Sequence, residues 1–145
     1  MSPASDALAL ALLARGLPVT LRARGASMHP FVRDGDVLTL LPPQGLACGD
    51  VGLASRGGAL RLHRVLAVDG EGRVLLRGDA LRQGDGWYSN AEVVARAGSL
   101  RRGSRTLPRA LWSGRLLPVL ATLARLFRRA RSHLRRGPVS GQLQA

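Results

Sequence analysis

Short apolar runs separated by glycine-containing turns dominate the first part of the chain. Runs of this length, several of them alternating with polar residues, are typical of β-strands. They predict a short helix at 7–15, an extended segment at 17–24 and strands at 37–41, 51–54, 59–68, 73–77 and 92–97. The pattern therefore indicates a small, mainly β domain over residues 1–98.

The strand predicted at 59–68 is the one that carries a candidate catalytic group. Its leucines and Val68 alternate onto one face, and His63 falls on the other face beside Arg61. Successive side chains of a strand point to opposite sides of the sheet. The pattern therefore predicts that the leucine face packs in the core and that His63 stays outside it.

The pattern changes toward the C-terminus. Residues 99–109 are rich in serine, glycine and arginine and predict a linker. Residues 110–136 repeat apolar positions with a helical period, with Trp112 and Phe127 on the apolar face and arginines on the other. This indicates a basic amphipathic helix, followed by a flexible tail over 137–145.

Charge follows the same division. Residues 1–100 carry 11 arginines and nine acidic residues, whereas residues 101–145 carry 11 arginines and no acidic residue. A basic amphipathic helix can lie on an anionic membrane, so residues 110–136 predict a membrane-associated protein. A helix packed on its own domain, in a cytoplasmic protein, is the alternative. No recognition motif accompanies the arginines, so no specific nucleic-acid partner is expected.

Residues 25–36, which read GASMHPFVRDGD, form the most informative motif. Ser27 follows Gly25 and Ala26 and precedes Pro30, which fixes its own φ and lacks an N–H group. A serine at such a bend can hold its hydroxyl outside the hydrogen-bonding ladders of a sheet. An ordinary turn between two strands is the alternative reading of this motif.

Two later segments of the chain favour the chemical reading. His63 lies in a predicted strand, Asp79 ends the run Val74 to Asp79, and Asp85 follows six residues later. A serine hydroxyl becomes a good nucleophile when a base such as histidine takes its proton, and an acid on the other ring nitrogen orients that base. The single cysteine, Cys48, excludes an internal disulfide.

These residues resemble type I signal peptidases, within the wider group that includes LexA-like repressors. The resemblance covers residues 25–85 and rests on the Ser-Met-x-Pro box, the His63-Arg64-Val65 segment and the Gly78-Asp79 corner. The chain contains no lysine, and arginine does not lose its proton in proteins. It is therefore similar to the endoplasmic-reticulum and archaeal-type branch, in which histidine stands at the position of the catalytic lysine.

The resemblance implies a small, β-rich serine endopeptidase that cleaves a peptide or preprotein after small residues and needs no metal or cofactor. It implies Ser27 as nucleophile, His63 as general base, Asp85 as the acid that orients the histidine and Asp79 as the aspartate of the Gly-Asp corner. The substrate and oxyanion region would be formed by Gly25, Ala26, Met28 and Pro30. A non-catalytic member of this fold, binding a membrane or a partner through its arginine-rich helix, is the alternative.

Overall fold

The structure is a computed structural model that describes residues 3–114. β-strand is the main secondary structure of this region, and two helices flank the strands. The elements in chain order are α1 (Pro3–Ala14), β1 (Val19–Arg22), β2 (Val37–Leu41), β3 (Val51–Arg56), β4 (Ala59–Val68), β5 (Val74–Arg77), β6 (Gly86–Tyr88), β7 (Val93–Arg102), β8 (Arg105–Leu107) and α2 (Arg109–Trp112). No helix in this region is long and apolar enough to cross a bilayer.

The strands form one curled antiparallel sheet, which confirms the mainly β prediction. The strand order is β1-β2-β7-β3-β4-β5-β6, and β8 pairs with β7. β1 therefore lies at one end of the sheet. The first half of β4 pairs with β3 alone, because β5 begins to pair only at Arg64. Within the described region, β1 and the first half of β4 each leave one backbone edge without a strand partner.

The core has two parts. The larger cluster lies between α1, β1, β2, β7 and α2, and it includes Leu38, Leu40 and Leu100, which are fully buried. The smaller cluster joins β4 to β5 and β6 through Val65, Leu76 and Tyr88. The sheet is thus covered on both sides along part of its length.

The prediction that His63 stays outside the core while Val68 packs in it is wrong. His63 is 4% exposed and Val65 is fully buried, whereas Val68 is 41% exposed. The reason is that both sides of this strand are covered, and its pairing with β5 shifts register between Val65 and Ala67. The strict alternation expected from the sequence therefore does not separate core from surface here.

The linker predicted over residues 99–109 is also wrong. β7 continues to Arg102, turns back at Gly103, whose φ is +58°, and pairs with β8. Leu100 is fully buried, so this segment belongs to the folded domain, which extends beyond residue 98. Its serine, glycine and arginine content suits a turn between strand edges as well as a linker. The helix predicted over 110–136 lies outside the described residues from residue 115 onward, as does the tail 137–145.

Trp112, the last residue of α2, attaches this helix to the core. Trp112 is 1% exposed, and its Nε1 donates to the carbonyl oxygen of Leu107 at 3.3 Å. One turn earlier, Arg109 Nη2 donates to the buried Asp50 Oδ1 at 2.6 Å. Leu111 between them is 61% exposed. The tryptophan therefore ties the end of the described chain to the core.

We expect Trp112→Ala to lower the free energy of unfolding by about 3 to 5 kcal/mol, because it leaves a large buried cavity. Leu111→Ala is the matched control and should change it by less than about 0.5 kcal/mol, since that side chain is mostly exposed. Urea denaturation of both variants measures the two values. Equal small losses would show that α2 is not part of the folded unit.

Candidate active site

Ser27 lies in a closed loop between β1 and β2. The loop is joined at its base, where Ala23 N–H donates to the Asp36 carbonyl oxygen at 2.7 Å and Gly35 N–H donates to the Ala23 carbonyl oxygen at 3.0 Å. Gly25 has a φ of +84°, which favours glycine, and its N–H donates to Asp34 Oδ1 at 2.8 Å. The glycine and aspartate residues of the motif thus shape the bend that presents Ser27.

A buried carboxylate fixes the far side of this loop. Asp36 accepts hydrogen bonds from Arg102 Nε and Nη2 at 2.9 and 2.8 Å and from Arg33 N–H at 2.8 Å. Burial alone would raise the pKa of Asp36, but these hydrogen bonds and the positive charges of both arginines outweigh it and lower the pKa. Arg102 also donates to the Phe31 carbonyl oxygen at 3.0 Å, so β7 holds the loop in place.

The structure brings Ser27, His63 and Asp85 together in one hydrogen-bonded series. Ser27 Oγ lies 3.1 Å from His63 Nε2, and His63 Nδ1 contacts Asp85 Oδ2 on the other side of the ring. Ser27 and Asp85 are half-buried and His63 is buried. Because an aspartate accepts from Nδ1–H, the Nε2 lone pair is left free to accept the serine proton.

The turn after β5 sets the position of both partners of His63. Asp85 N–H donates to the Leu76 carbonyl oxygen at 2.8 Å, and Ala80 N–H donates to the Ser27 carbonyl oxygen at 2.9 Å. Gly78 is buried directly against Ser27, since a Cβ there would lie 2.6 Å from the Ser27 carbonyl oxygen. Only glycine therefore allows this close approach of the two loops.

Asp79 does not join the series. It faces Arg64, whose Nε and Nη2 donate to its two carboxylate oxygens at 2.5 and 2.6 Å. Both side chains are almost fully enclosed. Asp79 therefore neutralises a buried guanidinium and fixes the corner against which Ser27 packs.

The loop also supplies free backbone donors. Within the described residues, the N–H groups of Ser27 and Met28 donate to no protein acceptor, whereas the next N–H, of His29, donates to the Ala26 carbonyl oxygen at 3.0 Å. Met28 itself is buried in the larger core cluster, and Pro30 is exposed. Two adjacent N–H groups beside a serine hydroxyl can stabilise an oxyanion.

A groove of about 390 Å³ opens beside Ser27. It runs between the segment formed by β1 and the residues after it and the first half of β4. Both segments have a backbone edge without a strand partner in residues 3–114. Leu21, Leu60 and Leu62 are among its apolar lining. The groove is therefore open to a peptide in extended conformation that could bond to either edge.

The described residues contain no group of three or more His, Cys, Asp or Glu side chains that could hold a metal ion. Cys48 lies apart from the series, and its Sγ donates to the Leu66 carbonyl oxygen at 3.0 Å. What the series can do is transfer a proton from a serine hydroxyl to an imidazole, which is the first step of acyl transfer.

Comparisons of this chain with protein-family models, with curated proteins and with solved structures found no match. The similarity to signal peptidases therefore stays a prediction, and the site is interpreted from its own geometry.

Sequence reasoning did not assign a role to Arg64 or Arg102. Arg64 is next to Val65 and Arg102 lies two residues after Leu100, so each is easily taken for a solvated arginine at a strand surface. A usable signal was available, because the chain contains only nine acidic residues and five of them follow glycine directly, four of these as Gly-Asp. Such Gly-Asp corners need partners when they are buried, and arginine is the one cationic partner that this chain offers apart from histidine.

We expect Gly78→Ala to displace Ser27 and to lower the free energy of unfolding by about 1 to 3 kcal/mol, because the added methyl group has no room. Labelling of Ser27 by a fluorophosphonate probe should slow in the same variant. Gly70→Ala is the control, since a Cβ at Gly70 meets no atom within 4 Å. Equal labelling and equal stability of the two variants would contradict the close packing of the two loops.

Proposed function

We propose that the protein is a serine endopeptidase in which Ser27 is the nucleophile, His63 the general base and Asp85 the residue that orients the base. The observation that carries this proposal is the hydrogen-bonded series of these three side chains, placed at the side of an open groove. A serine that only shapes a turn has no need of a buried histidine and a carboxylate behind it.

The reaction follows from the positions of the groups. Ser27 Oγ attacks the carbonyl carbon of a peptide bond while His63 Nε2 takes its proton, and the carbonyl oxygen becomes an oxyanion near the N–H groups of Ser27 and Met28. His63 then gives the proton to the leaving amine, and the acyl group stays on Ser27 as an ester. Water attacks this ester with His63 again as base, which releases the acid and restores the serine.

The similarity to signal peptidases supports the substrate class. In that family the cleaved bond follows small residues, and the chain here would cleave a peptide or preprotein in the same way. Three positions depart from the family, because Gly25 stands where a serine is usual, Ala26 where a glycine is usual and Ala80 where an asparagine is usual. The first departure removes a hydroxyl that could donate to the oxyanion, and the backbone N–H groups of Ser27 and Met28 remain for that role.

Association with an anionic membrane through residues 110–136 stands as a second part of the proposal. It rests on the charge of the chain beyond residue 100, where 11 arginines occur without an acidic residue. Two of those arginines, Arg102 and Arg109, pair with Asp36 and Asp50 inside the domain and do not contribute to a membrane-binding surface. The non-catalytic reading of the fold would keep this association and lose the cleavage.

We expect Ser27→Ala to reduce cleavage of an Ala-x-Ala peptide by about a million-fold, since the members of such a unit act together. Its fold should survive because the side chain is small and only half-buried. His63→Ala should lose as much activity, but its stability must be measured in parallel because the ring is buried. Mass spectrometry of the peptide products gives the rates, and full activity of Ser27→Ala would refute the assignment of the nucleophile.

We expect variants of Asp85 and Asp79 to differ, because the first should lose activity and the second should lose stability. Asp85→Asn should lower kcat by about ten-thousand-fold through the wrong histidine tautomer, with little change in stability. Asp79→Asn should lower the melting temperature, because Arg64 then lacks its countercharge in a buried site. Measuring kcat and melting temperature for both variants decides between them, and the reverse pattern would exchange the two roles.

A further inference from the structure

We propose that the groove beside Ser27 selects peptides that carry an acidic residue near the cleaved bond. This inference rests on the proposed peptidase function and names its substrate class more closely. Three arginines, Arg22, Arg24 and Arg61, line the groove, and Asp6 is the one acidic residue in its described lining. A bound peptide would therefore lie in an excess of positive charge.

The distribution of acidic residues over the domain explains this excess. The chain has nine acidic residues against 22 arginines, and most of the acids are engaged away from the groove. The ion pairs that hold them are Asp36–Arg102, Asp50–Arg109, Asp69–Arg73, Asp79–Arg64 and Glu92–Arg56. Of the remaining acids, Asp6 lines the groove and Asp85, which contacts His63, lies beside Arg61, so Arg22 and Arg24 have no ion-pair partner within the described residues.

The arginines stand on both sides of the groove. Arg22 and Arg24 are exposed on the β1 side, with the buried Ala23 between them, and neither forms an ion pair within the described residues. Arg22 Nη1 reaches only the Gly35 carbonyl oxygen, at 3.4 Å. Arg61 stands on the β4 side, half exposed, with Nη1 4.0 Å from Asp85 Oδ1. Arg22 and Arg24 are therefore the better placed to bind a substrate carboxylate.

The lining of the groove increases the effect of these charges. Leucines from β1 and β4 form part of it, so a bound peptide displaces water from an apolar surface. A carboxylate–guanidinium pair beside such a surface is screened less than a pair in open solvent. Arginine can also bind a carboxylate through two parallel hydrogen bonds and keeps its charge at every pH at which the domain is folded.

The expected selectivity is modest and measurable. Exposed ion pairs change an equilibrium by about two- to fivefold each, so a substrate with glutamate should exceed its glutamine counterpart in kcat/KM by about that factor for each arginine it meets. Lysine at the same position should be disfavoured. Asp6 acts in the opposite direction, because its carboxylate repels an acidic substrate and attracts a basic one.

The test uses Ala-x-Ala peptides in which glutamate, glutamine or lysine replaces each neighbouring position in turn. Arg24→Gln should reduce the ratio of kcat/KM for the glutamate and glutamine peptides, and Asp6→Asn should increase it. Arg105→Gln is the matched control, since it removes one exposed arginine outside the groove and should leave the ratio unchanged. The preference should also fall as salt is raised, because the Debye length shortens.

Binding to the full-length Ser27→Ala variant, followed by fluorescence anisotropy of labelled peptides, separates this inference from the proposed function. Glutamate-selective binding without cleavage by the wild type would overturn the peptidase function and support the groove inference. Cleavage at equal rates for all three peptides, at every position, would support the peptidase and overturn the inference. An equal change of the ratio in Arg24→Gln and Arg105→Gln would overturn it as well.

Discussion

The buried guanidinium of Arg64 is the interaction on which the rest of the site depends. It donates to both oxygens of Asp79, to the Gly49 carbonyl oxygen at 2.8 Å and to the Trp112 carbonyl oxygen at 3.0 Å. A buried charge is tolerated only when its donors are satisfied, so these three chain segments must meet at one point in the folded state. Since Gly78, next to Asp79, packs directly against Ser27, the position of this serine follows from the position of the arginine.

His63 and Arg64 are consecutive residues of β4, and each contacts a different aspartate. Successive residues of a strand point to opposite sides, so the histidine and the arginine cannot share one carboxylate. His63 meets Asp85 and Arg64 meets Asp79, although the two aspartates lie in the same turn region after β5. Asp85 can therefore orient His63 while Asp79 neutralises Arg64, and each acid has a different partner.

The sequence was sufficient for β4, whose predicted bounds of 59–68 are confirmed, and for the coarse fold. It failed where tertiary contacts decide. His63 is buried because loops and strands cover both sides of β4, which no periodicity within ten residues can reveal. β6 has three residues, too few for an alternation, and β8 is paired because a buried Leu100 extends β7. The meeting of Ser27 with the turn after β5 was inferred from the resemblance alone, since it joins residues distant in sequence.

The chain contains arginine and no lysine, and this composition fits the separate roles of Arg64 and His63. Arg64 pairs with Asp79 in the turn after β5, and Arg102 pairs with Asp36 at the base of the Ser27 loop. Both arginines stay charged because arginine does not release its proton in proteins. Proton transfer must then fall to a group of another kind, and His63 is the imidazole that the sheet places against the serine. In the proposed reaction the two arginines keep their charge while His63 carries the proton of Ser27, so the ion pairs that flank Ser27 need not change. Arginine therefore provides the ion pairs around the site, and histidine is the residue that we propose for proton transfer.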